Sequence, residues 1–399
     1  MDILIGIISI VVLLAICYLF SKNRKNINIR AIVIMLILQF ALTWFMFNTK
    51  IGQTILNKVS GVFNKLLDFA RVGVEFVFGG IQTNAPFVFF FNVSLVIIFF
   101  STLLSILTFL KVLPFIIRYL GGALSTVTGL PKVESFNAIN SIFFGQSEAL
   151  LTIKSQFSRL SKDRLYMVCA SAMGSVSAST SGSYMQLLPP RYVLAAMVLN
   201  AFSALIVASI LMPVKVPKEE DIIEINKTEQ ADSFFEAMSE GAIDGLKIAG
   251  IVAGMLIAFI ATMELVNFII ANITGAFGYK TSLQEIFGFI LYPLVFLSGV
   301  PANEAIQAGG IMGTKIVLNE FVAMLSFKPM IPDLTEKTVA IVSTFLISFA
   351  NFSSIGIIAG SVKAIDPERG RWVSGFGFKL LFGATIASFL SATIVGIFI

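Results

Sequence analysis

The sequence predicts an all-α integral membrane protein. Of its 399 residues, 57% are hydrophobic and 13% are charged, whereas a soluble domain carries about a quarter charged residues. Apolar runs long enough to span a bilayer recur along the chain. These runs are Ile3–Phe20, Ala31–Phe47, Val93–Ile117, Val193–Met212, Ile248–Ile273 and Phe376–Ile399. Positive charge follows the first run instead of preceding it, which indicates a membrane span and not a secretory signal.

Basic residues divide the loops into two groups. The rich segments are Lys22–Arg30, Lys154–Arg164, Lys215–Lys227 and Lys363–Arg371, and the poor ones contain Lys50, Arg191 and Lys280. Because loops rich in lysine and arginine stay in the cytoplasm, we expect the first group inside and both termini outside. The number of complete crossings is then even.

Two segments differ from the apolar runs. Thr54–Gly80 has apolar residues at helical intervals among lysines and acids, which predicts an amphipathic helix on the membrane surface or between subunits. Val214–Ser233 is rich in acids, and we expect it to connect two halves of the protein.

The two halves resemble each other weakly. Each has a polar stretch containing a glutamate, either "ESFNAINSIFFGQSEALL" or "NEAIQAGGIMGTKIVLNEFVAML", followed by "ASAMGSVSASTSGSY" or "STFLISFANFSSIGIIAG". This order predicts an inverted repeat of broken helices with a binding site near the membrane midplane. Coincidence within a limited apolar alphabet is the alternative.

Gln146, Ser147 and Glu148 lie side by side in a very apolar stretch. A carboxylate in the middle of a lipid-facing helix costs about 2.5–3.5 kcal/mol, so Glu148 must face protein or water. We expect the three residues at the tip of a hairpin that enters the membrane without crossing it, leaving helical geometry at Gly145. The alternative is a structural carboxylate that pairs with a helix terminus.

Glu320, preceded by Asn319, invites the same interpretation in the second half. Amide, hydroxyl and carboxylate groups together suit a polar, uncharged ligand with several hydrogen-bonding groups. Two unneutralised glutamates disfavour an anionic substrate.

Other polar or aromatic residues allow two interpretations each. The small residues Ser175–Gly182 and the segment containing Asn351, Ser353 and Ser354 suit either helix packing or a site. Phe349 and Phe352 could stack on a flat ring or only pack. For Glu264, within an apolar run, we expect a scaffold or interface partner.

At these residues the chain resembles the concentrative nucleoside transporter family, especially bacterial permeases of NupC type. The matching stretches are "ESFNAINSIFFGQSEALL", "GSVSASTSGSY", "GTKIVLNEFVAML" and "FANFSSIG", and the resemblance covers essentially the whole chain. It implies a bacterial plasma-membrane homotrimer with about eight transmembrane helices, a surface helix and two re-entrant hairpins. A transport domain then moves against a scaffold.

The resemblance also implies a division of the chain and a set of site residues. Residues 1–125 and 213–300 contribute scaffold spans, the surface helix, a cytoplasmic linker and a long scaffold helix, and 126–212 and 301–399 form the two transport repeats. The nucleobase is recognised by Gln146, Ser147, Glu148 and Thr180. The ribose is bound by Glu320, Asn351 and Ser354, with Phe349 close to the ligand. The cation site falls on Ser141, Phe144, Ser175 and Val176.

Ser141 departs from the family pattern, since sodium-coupled members have asparagine at this position. Losing that side-chain carbonyl removes a hard oxygen ligand, so we expect a proton as the coupling ion. With no histidine in the chain, the proton must be carried by a carboxylate, a lysine or a tyrosine, and we expect Glu148 to carry it.

The predicted function is proton-coupled nucleoside import by alternating access, with pyrimidine nucleosides preferred. Sodium coupling is the alternative within this class. An intramembrane enzyme and a passive channel are the alternatives outside it. Against an enzyme, the sequence contains no HExxH motif, no GxSxG motif and no histidine. We expect no cofactor and no nucleic-acid partner.

Overall fold

The computed structural model describes residues 2–79, 81, 88–217, 221 and 231–399. The secondary structure of these residues is helical throughout, with no β-strand among them. Five of the helices are long and apolar enough to cross a membrane, and a sixth span results if one pair bent by 119° counts as one. The predicted all-α membrane protein is therefore confirmed.

Five helices make up the start of the chain. They are α1 (Asp2–Leu19), α2 (Ile29–Asn48), α3 (Lys50–Phe78), α4 (Val96–Phe109, continuing a π-helical turn at Phe90–Ser94) and α5 (Val112–Thr128). The predicted amphipathic segment Thr54–Gly80 lies within α3 as far as Phe78; Gly79 caps the helix, and Gly80 is outside the described residues. The apolar run Val93–Ile117 is not one helix. Lys111 adopts a left-handed backbone conformation (φ 62°) and separates α4 from α5.

The remaining helices come in two series of the same order. The first contains α6 (Lys132–Phe143), α7 (Glu148–Leu151), α8 (Lys162–Met173), α9 (Ala178–Tyr184) and α10 (Pro190–Leu211). Next come α11 (Phe234–Gly275) and α12 (Leu283–Leu297). The second series contains α13 (Ala302–Val317), α14 (Glu320–Phe327), α15 (Glu336–Leu346), α16 (Phe352–Ile365) and α17 (Pro367–Phe398).

Each series thus has a helical hairpin, a helix interrupted in the middle, and a long closing helix that begins with proline. The hairpins turn between α6 and α7 and between α13 and α14, and the interruptions separate α8 from α9 and α15 from α16. Non-helical backbone inside a membrane protein is tolerated where it is buried in protein or lines a cavity. A binding site is therefore expected beside the two interruptions.

The basic loops meet at one end of the molecule. Lys22 Nζ binds Asp163 Oδ1 at 2.6 Å, and the Lys22 N–H donates to the carbonyl of Leu211. Arg369 donates to the carbonyl of Ser158 at 2.9 Å, which joins the last basic loop to the second. At the opposite end, Asn48 donates to the carbonyl of Phe398. The division of loops by charge is therefore also a division in space.

The long helix α11 packs closely on α4 because its contact positions are glycines. A Cβ atom on Gly241 would lie 2.7 Å from Thr102 Cα, which is too close for any larger residue. Of the predicted linker Val214–Ser233, residues 218–220 and 222–230 lie outside the described residues. Asp221 accepts a hydrogen bond from the N–H of Lys132, and Ser233 caps the start of α11.

Candidate functional site

Both hairpin tips and both interrupted helices border one cavity of about 190 Å³. All eight residues predicted for substrate binding line this cavity: Gln146, Ser147, Glu148, Thr180, Glu320, Phe349, Asn351 and Ser354. The two halves of the chain, far apart in sequence, thus contribute to one concave surface with apolar walls and a few polar groups. Such a surface is typical of small-molecule sites.

Glu320 is the most firmly held polar group of the cavity. It is the first residue of α14 and is buried. Its Oε1 accepts a hydrogen bond from the Tyr184 hydroxyl at 2.9 Å, and its Oε2 accepts one from Asn351 Nδ2 at 3.1 Å. Each oxygen retains room for one more donor, because a carboxylate has about four acceptor positions.

Asn351 connects this carboxylate to the interrupted helix. It caps the N-terminus of α16, where its Oδ1 accepts from the N–H of Ser354 at 2.9 Å and from the hydroxyl of Ser353 at 2.7 Å. The Ser354 hydroxyl is buried and has no protein partner among the described residues. A buried hydroxyl without a partner is costly, and this one lines the cavity, where a ligand can satisfy it.

The first hairpin presents Gln146 and Ser147 differently. Gln146 is buried, and its Oε1 has no hydrogen-bond partner among the described residues. Ser147 Oγ accepts a hydrogen bond from the Ser361 hydroxyl of α16 at 2.8 Å. Gln146 is therefore the group of this tip that is free to contact a ligand, and Ser147 joins the tip to the second half.

Glu148 lies at the boundary between this cavity and a second one of about 310 Å³. Its side chain is exposed, and its carboxylate accepts hydrogen bonds from the backbone N–H groups of Gly145 and Glu148. The carboxylate folds back over Gly145, where it occupies the position that a Cβ atom would take. A larger residue at position 145 would have to displace the Glu148 side chain, and the backbone is not helical from Phe144 to Ser147, as predicted from the sequence.

The sequence interpretation missed Tyr184 as a site residue. Thr180 and Tyr184 are one helical turn apart on α9, and both are buried. The Tyr184 ring also packs on Phe321, with 4.9 Å between ring centroids. The signal was present, since Tyr184 ends the stretch "GSVSASTSGSY" and is its one aromatic residue.

The apolar wall opposite the polar groups was also missed. It comes from α11, through Ile248, Val252 and Met255 among others. Of the two candidate phenylalanines, Phe349 lines the cavity, whereas Phe352 is exposed and packs on Phe378. Glu264 is exposed on α11 and has no ion-pair partner within the described part of the chain.

The predicted cation region lies beside the first interruption. Ser141 is fully buried, and its hydroxyl donates to the carbonyl of Asn137 at 2.7 Å. Asn137 in turn donates to Ser171 Oγ at 2.8 Å and ties α6 to α8. Val176 is buried, and Phe144 borders the second cavity.

The two interruptions are joined by a backbone hydrogen bond. The N–H of Phe349 donates to the carbonyl of Ser175 at 3.1 Å. One backbone oxygen of the predicted cation region is therefore already used by the second half of the chain. No cluster of histidine, cysteine and carboxylate side chains that could hold a metal ion occurs in the described residues.

Family models for nucleoside transporters match most of the chain. The C-terminal model of Na⁺-dependent nucleoside transporters matches residues 192–396, and the N-terminal model matches residues 8–81. A nucleoside-recognition "Gate" model matches residues 90–217.

Individual relatives agree with these models. The purine nucleoside transport protein NupG of Bacillus subtilis is 37% identical, with 99% of both chains covered. The nucleoside permease NupC of Helicobacter pylori is 33% identical, over 99% of this chain and 98% of the permease. A solved inward-facing, substrate-bound structure of CNTnw superposes with a TM-score of 0.94 at 32% identity, covering 100% of this chain and 98% of CNTnw. The cavity, its polar groups and these similarities identify a transporter, not an enzyme, and the chain belongs to the concentrative nucleoside transporter family.

Proposed function

We propose that this protein is a proton-coupled symporter that imports nucleosides by alternating access. The observation that carries the proposal is the shared cavity. A buried carboxylate held by Tyr184 and Asn351 faces a buried amide oxygen on Gln146 and a hydroxyl on Ser354 that lack protein partners. A nucleoside, with hydroxyls on one part and a polar base edge on the other, satisfies groups of both kinds.

In this proposal the second half of the chain binds the ribose and the first half binds the base. The ribose hydroxyls donate to Glu320 and contact Asn351 and Ser354, with Phe349 against the ligand. Gln146 contacts the base directly. Ser147, Glu148 and Thr180 complete the base side, partly through water.

Glu148 is the proposed proton carrier. It lies between the substrate cavity and the second cavity, which extends to Glu240, Asp244 and Ala231 near the start of α11. Water in the second cavity reaches the Glu148 carboxylate without passing the substrate. Glu320, by contrast, is occupied by two donors and serves the substrate.

Serine at position 141 offers sodium no side-chain carbonyl, which favours the proton over sodium at the first interruption. The Ser141 hydroxyl is used by its own helix, and the Ser175 carbonyl is used by Phe349. Sodium coupling is the second candidate, because the matching family models describe Na⁺-dependent transporters.

For the architecture we propose eight transmembrane helices, the two re-entrant hairpins and a homotrimer. The basic loops then lie in the cytoplasm and both termini outside, and the second cavity opens to the cytoplasm. Large apolar side chains remain exposed on α3 and α11, such as Phe76, Ile257 and Phe268. Lipid and neighbouring subunits cover these faces in the proposed assembly.

The test is uptake of radiolabelled nucleosides into proteoliposomes under imposed ion gradients. An inward proton gradient should drive accumulation, a protonophore should abolish it, and replacing sodium by choline should leave it unchanged. Both uridine and inosine are needed as substrates. We propose a pyrimidine preference, whereas a relative at 37% identity is named for purine nucleosides.

Glu148→Gln imitates the protonated state, so it should retain nucleoside exchange and lose pH-driven accumulation. Glu240→Gln, which removes another carboxylate from the second cavity, is the matched control and should accumulate normally. Accumulation on a sodium gradient with equal pH on both sides would refute proton coupling.

A further inference from the structure

Lys315 is a fully buried lysine near the end of α13. Its ammonium donates to Ser348 Oγ at 2.5 Å, to the carbonyl of Phe345 at 3.1 Å and to Ser388 Oγ at 3.4 Å. No carboxylate lies within ion-pair distance among the described residues. All three donors of the ammonium are therefore used by neutral oxygens.

Such an arrangement needs a reason, because burying a charge is expensive unless it is well compensated. Phe345 is in the last turn of α15, where the backbone carbonyls lack helical partners and the helix end is negative. Ser348 lies in the interruption that follows. The broken ends of membrane helices are positions where carbonyl oxygens bind cations, and here the cation belongs to the protein.

The same position in the first half carries no ammonium. Lys315 lies two residues before the end of α13, and Ser141 lies two residues before the end of α6. Ser348 lies two residues beyond the end of α15, and Ser175 lies two residues beyond the end of α8. Lys315 and Ser348 thus correspond to Ser141 and Ser175.

We propose that Lys315 is the resident cation of the second half. Its ammonium neutralises the carbonyl end of α15 and sets the course of the chain from Phe345 to Asn351, so that Asn351 reaches Glu320. Lys315 is thus a positioning residue that acts on the substrate through these two side chains. The effect of Lys315 on nucleoside binding rests on the proposed function, but the contacts of Lys315 do not.

Replacing Lys315 by alanine removes the equivalent of n-propylammonium, and this cation is the probe. In detergent-solubilised protein, Lys315→Ala should bind nucleoside at least about tenfold more weakly than the wild type, since a charged partner is lost. Added n-propylammonium should restore most of that affinity and raise the thermal unfolding temperature of the variant. The neutral n-propanol should do neither.

Lys315→Met fills the same space without charge. This variant should bind nucleoside weakly, and n-propylammonium should change neither its affinity nor its unfolding temperature. Lys379→Met is the matched control. It removes a lysine that donates to the carbonyl of Leu211 away from the cavity, and nucleoside affinity should stay unchanged.

Wild-type affinity in Lys315→Met would overturn the proposal, and so would the lack of any n-propylammonium effect on affinity and unfolding temperature in Lys315→Ala. If the wild type binds neither uridine nor inosine, the proposed function fails instead. The unfolding measurement still tests Lys315 in that case.

Discussion

Tyr184 is the side chain through which the first half of the chain holds the carboxylate of the second. Its hydroxyl donates to Glu320 from α9, while Asn351 donates from the start of α16. The Glu320 carboxylate is thus oriented from two sides before a substrate arrives. Such preorganisation strengthens binding, because less ordering remains to be done when the ligand enters.

Tyr184→Phe keeps the ring against Phe321 and removes this single donor. Loss of one buried hydrogen bond to a charged group costs about 1–3 kcal/mol, so nucleoside affinity should fall about five- to hundredfold. Glu320→Gln should nearly abolish uptake. Equilibrium binding to purified protein measures both effects. Tyr166→Phe, which removes a buried hydroxyl bound to the carbonyl of Lys379, should bind normally, and equal losses in the two tyrosine variants would contradict the role of Tyr184.

Gln146→Ala tests the base side of the cavity. A site that recognises polar edges discriminates because the wrong ligand leaves its groups unpaired. The variant should therefore change the ratio of uridine to inosine uptake more than it changes the affinity that is common to all nucleosides. Ser147→Ala should shift this ratio less, since its hydroxyl is bound to Ser361. The same loss for every nucleoside would make the hairpin tip a structural feature only.

At the scale of elements, each hairpin is attached to the following broken helix by a buried glutamate. Glu134 is the third residue of α6 and accepts two hydrogen bonds from Arg164, at 2.7 and 3.0 Å. Glu304 is the third residue of α13 and accepts from the N–H and hydroxyl of Thr335, which caps α15. The halves thus repeat the attachment as well as the order of helices, although the donors differ.

Glu134→Gln leaves the Arg164 guanidinium without its buried carboxylate. Breaking one side of a buried ion pair costs about 3–5 kcal/mol, so the thermal unfolding temperature in detergent should fall clearly. The matched control is Glu336→Gln, whose pair with Arg191 is exposed, with side-chain exposures of 62% and 48%. Exposed pairs contribute at most about 1 kcal/mol. A similar decrease of the unfolding temperature in both variants would show that the buried Glu134–Arg164 pair stabilises the protein no more than the exposed pair.

For the whole molecule, the position of the basic loops allows a direct test of orientation. Both native cysteines, Cys17 and Cys169, are buried, so they should remain silent toward a membrane-impermeant maleimide. In intact cells, Lys50→Cys should be labelled from outside, whereas Lys25→Cys should be labelled only after permeabilisation. Both lysines are exposed, at opposite ends of the molecule. The reverse pattern would place both termini in the cytoplasm.

Much of this protein follows from local properties of its sequence. Apolar runs predict the long helices, and the helical spacing of apolar residues in Thr54–Gly80 predicts α3. Both signals depend only on residues that are close together in the sequence. The positions of Gln146, Ser147, Glu148 and Glu320 could also be predicted, since a polar side chain in an apolar segment must have a partner or a cavity. The detailed roles came from resemblance to a family and remain predictions.

Tertiary structure decided what depends on distant segments meeting. The sequence did not reveal that Tyr184 reaches Glu320, that Phe349 donates to Ser175, or that α11 supplies the apolar wall, because periodicity reports which face of a helix is apolar but not its neighbour. Nor did it predict the break at Lys111 within an apolar run, where the backbone takes a left-handed conformation. Lys315 is the clearest case. The sequence does not explain an ammonium in this segment, whereas the structure shows that it donates to a carbonyl at the C-terminal end of α15.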